Sequence, residues 1–220
     1  VRFITSHPKD MSEGLIKLFG EEKRLCRHIH LPVQSGSDII LRKMNRGYTR
    51  EEYLNKAYKL KRLYPDMGIT TDIIVGFPGE TKADFSDTMG LIKEMEFDNI
   101  FSFKYSPRQE TTAASFDNHI PEMEKEERLA ILHGVQRDIA LRKNQEMIGR
   151  ILDVLTEGKR KTSSVRPPEV GYNVILNNDA AQLTGRTSCN KVVNFSAYER
   201  LVGKIVPVRI ISAAPNSMIG

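Results

Sequence analysis

The stretch HIHLPVQSGSDIILRKMNRGYT, residues 28–49, decides the fold. It opens as an apolar strand over 28–33 and closes as a helix rich in Arg and Lys. Between them stand Gln34, Ser35, Gly36 and Ser37, four residues without a bulky apolar side chain. A strand followed directly by a helix is half of a βα unit, and repeated units of this kind build a parallel sheet. In such sheets the chemistry gathers at the carboxyl ends of the strands. The polar corner has two readings: a plain packing loop, or the mouth of a barrel that holds a polar cofactor.

Outward from this stretch the alternation repeats. Further strands are expected at 2–5, 70–75 and 99–105. Thr49 with Glu52 three residues on reads as a capping box. Tyr53, Ala57, Leu60 and Tyr64 follow at helical spacing, and Pro65 ends that helix. Thr81 caps the next one with Asp84 in the third helical position, and Phe85, Met89, Ile92 and Met95 form its apolar stripe. Leu15, Leu18 and Phe19, stopped by Gly20, mark a shorter helix. A long helix is expected over 121–147. Its acids lead and its bases follow, as the helix dipole favours, and Leu129, Leu132, Val135 and Ile139 form its buried face.

After Gly149 the pattern changes. Short strands are expected at 151–156, 173–176, 182–187, 192–195 and 205–211, separated by turn-prone Gly, Asn and Pro. That many strands in so short a stretch suggest a small all-β barrel of the OB type. The expected domains are 1–147 and 148–220.

The chain has 220 residues, 40% of them hydrophobic, which supports a real core. No apolar run approaches the roughly 20 residues of a membrane span, and no secretory pattern stands at the N-terminus. Opening mid-strand without Met, the sequence reads as part of a longer polypeptide. Its two cysteines, Cys26 and Cys189, are far apart and form no CxxC pattern. They read as reduced thiols of a cytoplasmic protein, not as ligands of a cluster or zinc. The net charge of +5 is uneven: residues 151–220 hold 9 Lys+Arg against 5 Asp+Glu, whereas 1–150 are nearly balanced. The excess suits either a solvated basic surface or a polyanion-binding module.

Several residues can carry chemistry. Gly76-Phe77-Pro78-Gly79-Glu80-Thr81 follows the apolar strand Ile73-Ile74-Val75. Its glycines permit positive φ and close backbone approach, and it is neither a Walker loop nor a dinucleotide fingerprint. It reads as a tight turn with a helix cap or as a ligand loop. Asp72 stands inside an apolar strand, where a carboxylate needs a partner; a ligand and a structural Arg are equal candidates. His28 and His30 share a strand face but lack a third metal ligand, so they read as hydrogen-bonded core histidines. Arg46, in Asn45-Arg46-Gly47, lies where a helix must break and could turn toward a carboxylate. In the last third, Lys159-Arg160-Lys161, Arg186, Asn190 and Lys191, with Tyr172 and Phe195 as aromatic surface, suit single-stranded nucleic acid.

Together the motifs resemble one family. His30-Leu31-Pro32-Val33-Gln34-Ser35-Gly36-Ser37, Met44-Asn45-Arg46-Gly47-Tyr48-Thr49, the run from Asp72 to Thr81, and Phe103-Lys104-Tyr105-Ser106-Pro107-Arg108 occur in this order in radical S-adenosylmethionine methylthiotransferases. Gly185-Arg186-Thr187, Asn190 and Val192-Val193-Asn194-Phe195 resemble the TRAM module that ends them. The chain is most similar to the tRNA-acting MiaB type; ribosomal-protein-modifying relatives are the nearest alternative, and a non-catalytic RNA-binding module is the reading of a different class. One departure is the 108–113 loop, which lacks the Gly that family members carry there.

The resemblance implies part of a (β/α)6 radical-SAM barrel lacking its first strands, then an OB-like TRAM barrel. It implies 2-methylthio transfer to N6-isopentenyladenosine beside the anticodon, with S-adenosylmethionine and two 4Fe–4S clusters in the full-length protein. Both sets of cluster cysteines are absent from this chain, so alone it is expected to be inactive. The resemblance places Gln34, Ser35, Arg46, Asp72, Ile74, Gly76, Phe77 and Glu80 at the cofactor. It places Lys159, Arg160, Lys161, Arg186, Asn190, Lys191 and Phe195 at RNA, with the tRNA anticodon stem-loop as partner of a cytoplasmic monomer. It assigns no catalytic residue and no metal ligand.

Overall fold

The structure, a computed structural model, describes residues 1–2, 7–109, 111–160 and 180–220. The expected strand at 173–176 and most of that at 2–5 lie outside these, as do Lys161 and Tyr172. The chain divides into two units, Val1–Ala140 and Leu141–Gly220.

In the first unit α1 (Glu13–Glu21), β1 (His28–His30), α2 (Asp38–Lys43), α3 (Arg50–Leu63), β2 (Gly68–Val75), α4 (Lys82–Met95) and β3 (Asn99–Lys104) precede the long α5 (Glu122–Gln145). The three strands are parallel in the order β1-β2-β3, with His30 opposite Thr70 and Asp72 opposite Phe101. Both expected capping boxes form. Thr49 and Glu52 exchange bonds of 2.7 and 3.2 Å at the start of α3, and Thr81 and Asp84 do the same before α4. Each supplies acceptors for N–H groups that a helix start leaves unpaired.

Strand periodicity sorts the sheet into two faces. Ile69, Ile73, Val75 and Ile100 join the core with Tyr53, Leu60, Leu91, Ile92 and Met95. Ser102 and Lys104 face the same way and reach α5, through His133 at 2.8 Å and Glu126 at 3.0 Å. The opposite face presents His30, Asp72, Phe101 and Phe103.

Three expectations need correction. Strand β1 is regular only over three residues, because after Leu31, whose N–H still donates to the Thr70 carbonyl at 2.8 Å, the backbone ladder to β2 gives way to side-chain bonds. Thr71 supplies two: its hydroxyl donates to the Leu31 carbonyl and accepts from the Val33 N–H, both at 2.9 Å. Pairing then resumes at a single bridge, Gln34 to Ile73. Gly20 does not stop α1, which runs to Glu21. Nor is Leu18 on its buried face; it is exposed, and Ile16 and Phe19 are buried.

The second unit is a six-stranded sheet in the order β7-β4-β5-β6-β9-β8. Its strands are β4 (Ile151–Lys159), β5 (Ala180–Thr187), β6 (Val192–Tyr198), β7 (Ile205–Arg209), β8 (Ser212–Ala213) and β9 (Met218–Ile219). All pairings are antiparallel except β6 with β9. A bulge at Thr156–Gly158 bends β4. Val154, Leu183, Val193, Phe195, Val208 and Met218 form its separate core. The unit takes in the end of α5, because Asn144 donates to the Ala214 carbonyl and accepts from Lys191, both at 2.8 Å.

Candidate functional site

The polar corner after β1 turns out to be largely a docking joint. Ser35 is fully buried, with its hydroxyl 3.3 Å from that of Thr88 on α4 and accepting from the Ser37 N–H. A Cβ on Gly36 would stand 2.5 Å from the Thr88 Cα, so only glycine lets the corner touch the α4 backbone. Ser37 caps α2 and donates to the Asp84 carboxylate at 2.6 Å. Burial pushes the Asp84 pKa up, but hydrogen bonds from Ser37 and Thr81 and the Lys43 charge hold it below its ordinary value. Of the four corner residues Gln34 alone has a side chain with no hydrogen-bond partner among the described residues. It is half-buried and takes a positive φ of 74°.

The Gly76–Thr81 turn lies at the end of the neighbouring strand. Gly76 and Gly79 have φ of 71° and 73°. Glu80, 2% exposed, accepts from the Gly76 N–H at 2.7 Å and pairs with the Arg128 guanidinium of α5. Burial raises the Glu80 pKa, against the opposing pull of Gly76 and Arg128. Glu80 therefore braces the turn from inside, and its second oxygen, Oε1, has no hydrogen-bond partner among the described residues. Phe77 is buried edge-on to Tyr105 and Phe116, with centroids 5.1 and 6.3 Å away. Beside the turn opens a cleft of about 500 Å³ lined by Lys43, Pro78, Ser115, Phe116, Asp117 and Asn118. The sequence reading missed this lining, since its members lie on three separate segments.

On the open face of the sheet, His30 stands 3.4 Å from Asp72 and edge-on to Phe101. Half-buried Ile74 follows two residues along the same face. Arg46 donates to the Tyr48 hydroxyl at 3.2 Å, and that hydroxyl donates to the Val33 carbonyl at 3.0 Å. Arg46 is thereby held at the end of β1. The structure thus gathers Gln34, Arg46, Asp72, Ile74 and the Gly76–Phe77 turn around the ends of β1 and β2. Ser35 and Glu80 sit in the packing behind them.

In the second unit Lys159 pairs with Glu199 at 2.7 Å, and Arg186 with Glu157 at 3.3 Å. Arg186 also donates to Asn190, which makes its turn at φ 71°. Lys191 is held by Asn144. Half-buried Arg160 follows at the end of β4. Phe195 is not aromatic surface: it is 5% exposed, because the alternation of β6 turns it inward with Val193. An overlooked aromatic–cation pair is Tyr198 with Arg200, 5.1 Å from ring centroid to guanidinium carbon.

Residues 1–92 match the Radical SAM superfamily and residues 176–220 match the TRAM domain. The whole chain is similar to tRNA-2-methylthio-N(6)-dimethylallyladenosine synthases. It is 47% identical to that of Geobacter metallireducens over 46% of the relative's length, and 48% identical to that of Syntrophus aciditrophicus over 44%. Over its full length the chain is similar to the region of these synthases that joins part of a radical SAM domain to a TRAM domain. It spans less than half the length of these curated relatives. Coproporphyrinogen III oxidase from Escherichia coli, described as a radical SAM enzyme, matches 67% of this chain and 33% of its own with a TM-score of 0.54. At 16% identity this likeness concerns the fold.

The family's iron–sulfur chemistry has no donor set here. Among the described residues no group of three or more His, Cys, Asp or Glu could hold a metal, and the two free cysteines lie in different units. Gln34 and Asp72 offer polar side chains of the kind S-adenosylmethionine needs, whereas at Gly76 and Gly79 the place of a Cβ is taken by the side chains of Lys125, Asn118 and Lys43. No helix among the described residues is long and apolar enough to cross a membrane.

Proposed function

We propose that this chain is the cofactor- and tRNA-handling part of a cytoplasmic enzyme that adds a 2-methylthio group to N6-dimethylallyladenosine in tRNA. The observation that carries the reading is the match over the full chain, at 44–48% identity, to synthases named for that product. Gln34, Arg46, Ile74, Gly76 and Phe77 surround the cofactor, while Ser35 and Glu80 hold the corner and the turn in place. S-adenosylmethionine supplies the radical and methyl chemistry when a reducing cluster is present. The cluster ligands of the full-length protein lie outside this chain. The chain alone takes up no stoichiometric 4Fe–4S cluster on anaerobic reconstitution and does not methylthiolate tRNA.

Lys159, Arg160, Lys161, Arg186 and Lys191 supply the charge that draws the tRNA phosphates to a monomeric protein, and Asn190 adds a neutral hydrogen-bonding group beside them. The deciding experiment deletes the gene that contains this chain and measures tRNA nucleosides by mass spectrometry. Loss of the 2-methylthio group with dimethylallyladenosine left in place supports the function. Unchanged tRNA, with a mass change in a ribosomal protein, overturns it.

A further inference from the structure

Between His30 and Gln34 the chain of β1 gains one residue on its neighbour. His30 lies opposite Thr70, but Gln34 lies opposite Ile73, so four steps along β1 match three along β2. The extra residue makes a bulge, which bends a strand and re-aims the side chains beyond it; in a parallel pair such bulges are rare. Leu31, Pro32 and Val33 are all buried, so the alternation of a regular strand is lost there. The bulge ends at Gln34, whose φ of 74° an L-residue holds when its surroundings impose it.

Three hydroxyls impose it. Thr71 bridges the Leu31 carbonyl and the Val33 N–H and so spans Pro32, the residue in excess, which has no N–H to satisfy. Tyr53 of α3 donates to the same Leu31 carbonyl at 2.9 Å. The Tyr48 hydroxyl lies 3.0 Å from the Val33 carbonyl and 3.3 Å from that of Pro32. Thr71 and Tyr53 are fully buried, and Tyr48 is 9% exposed. Every backbone donor and acceptor of the bulge is thereby matched, and past the Leu31 N–H each match is a side chain. Gln34 then rejoins β2: its N–H donates to the Asp72 carbonyl at 2.8 Å, and its carbonyl accepts from the Ile74 N–H at 3.0 Å.

We infer that Thr71 and Tyr48 are positioning residues for Gln34. Both hydroxyls are spent on buried backbone and do not reach a ligand. They hold Pro32 out of the ladder, and this fixes where Gln34 emerges. In an unbulged strand Gln34 would pair with Ile74 instead, a slip of one residue, which exchanges the faces of a strand. The inference rests on the proposed placing of Gln34 at the cofactor.

The test measures equilibrium binding of S-adenosylmethionine to the full-length, cluster-loaded protein by dialysis, with melting temperatures in parallel. Gln34→Ala is expected to weaken binding about tenfold, the loss of one hydrogen bond. Thr71→Val keeps the side-chain shape, removes the hydroxyl and should weaken binding by a similar factor. Thr71→Ser should restore it. The double variant Gln34→Ala with Thr71→Val should bind no more weakly than Gln34→Ala alone, because a residue that acts through another loses its effect once the other is gone. Should Thr71→Val fail to fold, Tyr48→Phe enters the same cycle under the same criteria. Additive losses overturn the inference, and so does a lowered melting temperature with parent affinity. Either leaves Gln34 standing as a cofactor residue. Parent affinity in Gln34→Ala overturns the placing of Gln34 itself, and the positioning role with it.

Discussion

The Ser37 hydroxyl donates to the Asp84 carboxylate at 2.6 Å and so joins the N-terminal caps of α2 and α4. Both groups are almost fully buried. One hydrogen bond thus sets the corner after β1 against the helix that follows the glycine turn, and both ends of the candidate site depend on it.

Ser37→Ala should destabilise the first unit by about 1–2 kcal/mol, the usual loss for a cap. It should also change the acid response. Asp84 has a folded pKa below its ordinary value, so its stabilisation is complete above the unfolded pKa and is lost as pH falls through the folded one. Urea unfolding across the acid range should show a shallower decline for Ser37→Ala than for the parent chain. Parallel curves would mean that this bond does not depress Asp84.

Arg128→Met should be far more severe, about 3–5 kcal/mol, because it leaves Glu80 buried without its countercharge. Pairing it with Glu80→Gln should recover a good part of the loss. Burial raises the Glu80 pKa, so the carboxyl is better tolerated protonated, and lowering the pH should shrink the Arg128→Met penalty. A penalty that grows on acidification would refute this account of the turn.

Gly76→Ala tests which job that glycine performs. Its φ is 71°, and an added Cβ would run into the Lys125 side chain. The left-handed conformation alone costs an L-residue about 1–2 kcal/mol. A lowered melting temperature, partly restored by Lys125→Ala, is the expected result. A variant as stable as the parent but deficient in S-adenosylmethionine binding would show that the glycine serves only ligand approach.

In the second unit, replacing Lys159 and Arg160 by Ala should flatten the salt dependence of tRNA binding. The log–log slope should fall by up to about one for each phosphate no longer neutralised. Phe195→Ala should behave differently. It removes a core side chain at a cost of about 3–5 kcal/mol and should lower binding only where the unit unfolds. A folded Phe195→Ala variant with normal stability and weak tRNA binding would restore the ring to the RNA surface.

Local sequence determined a great deal of this protein by itself. Thr49 with Glu52 and Thr81 with Asp84 form the expected boxes, because a cap joins residues three apart and needs no distant partner. The apolar stripe Phe85, Met89, Ile92 and Met95 likewise marked the face that α4 turns to the core, since helical spacing is a property of the backbone. The motif order also pointed to the family to which the chain's relatives belong. Side-chain roles set by a neighbouring element were out of reach. Ser35 looked like a ligand group until Thr88 of α4 closed over it, and Glu80 until Arg128 arrived from α5, 48 residues away in sequence. Phe195 looked exposed because its inward turn depends on which face of β6 the second core covers. His30 and Asp72 stood as separate candidates, since only the β1–β2 register makes them a pair. Spacing along the chain specifies which elements form. Which polar atoms remain available to a ligand is decided by what those elements bury against one another, because an acceptor already holding a buried donor has little left to offer.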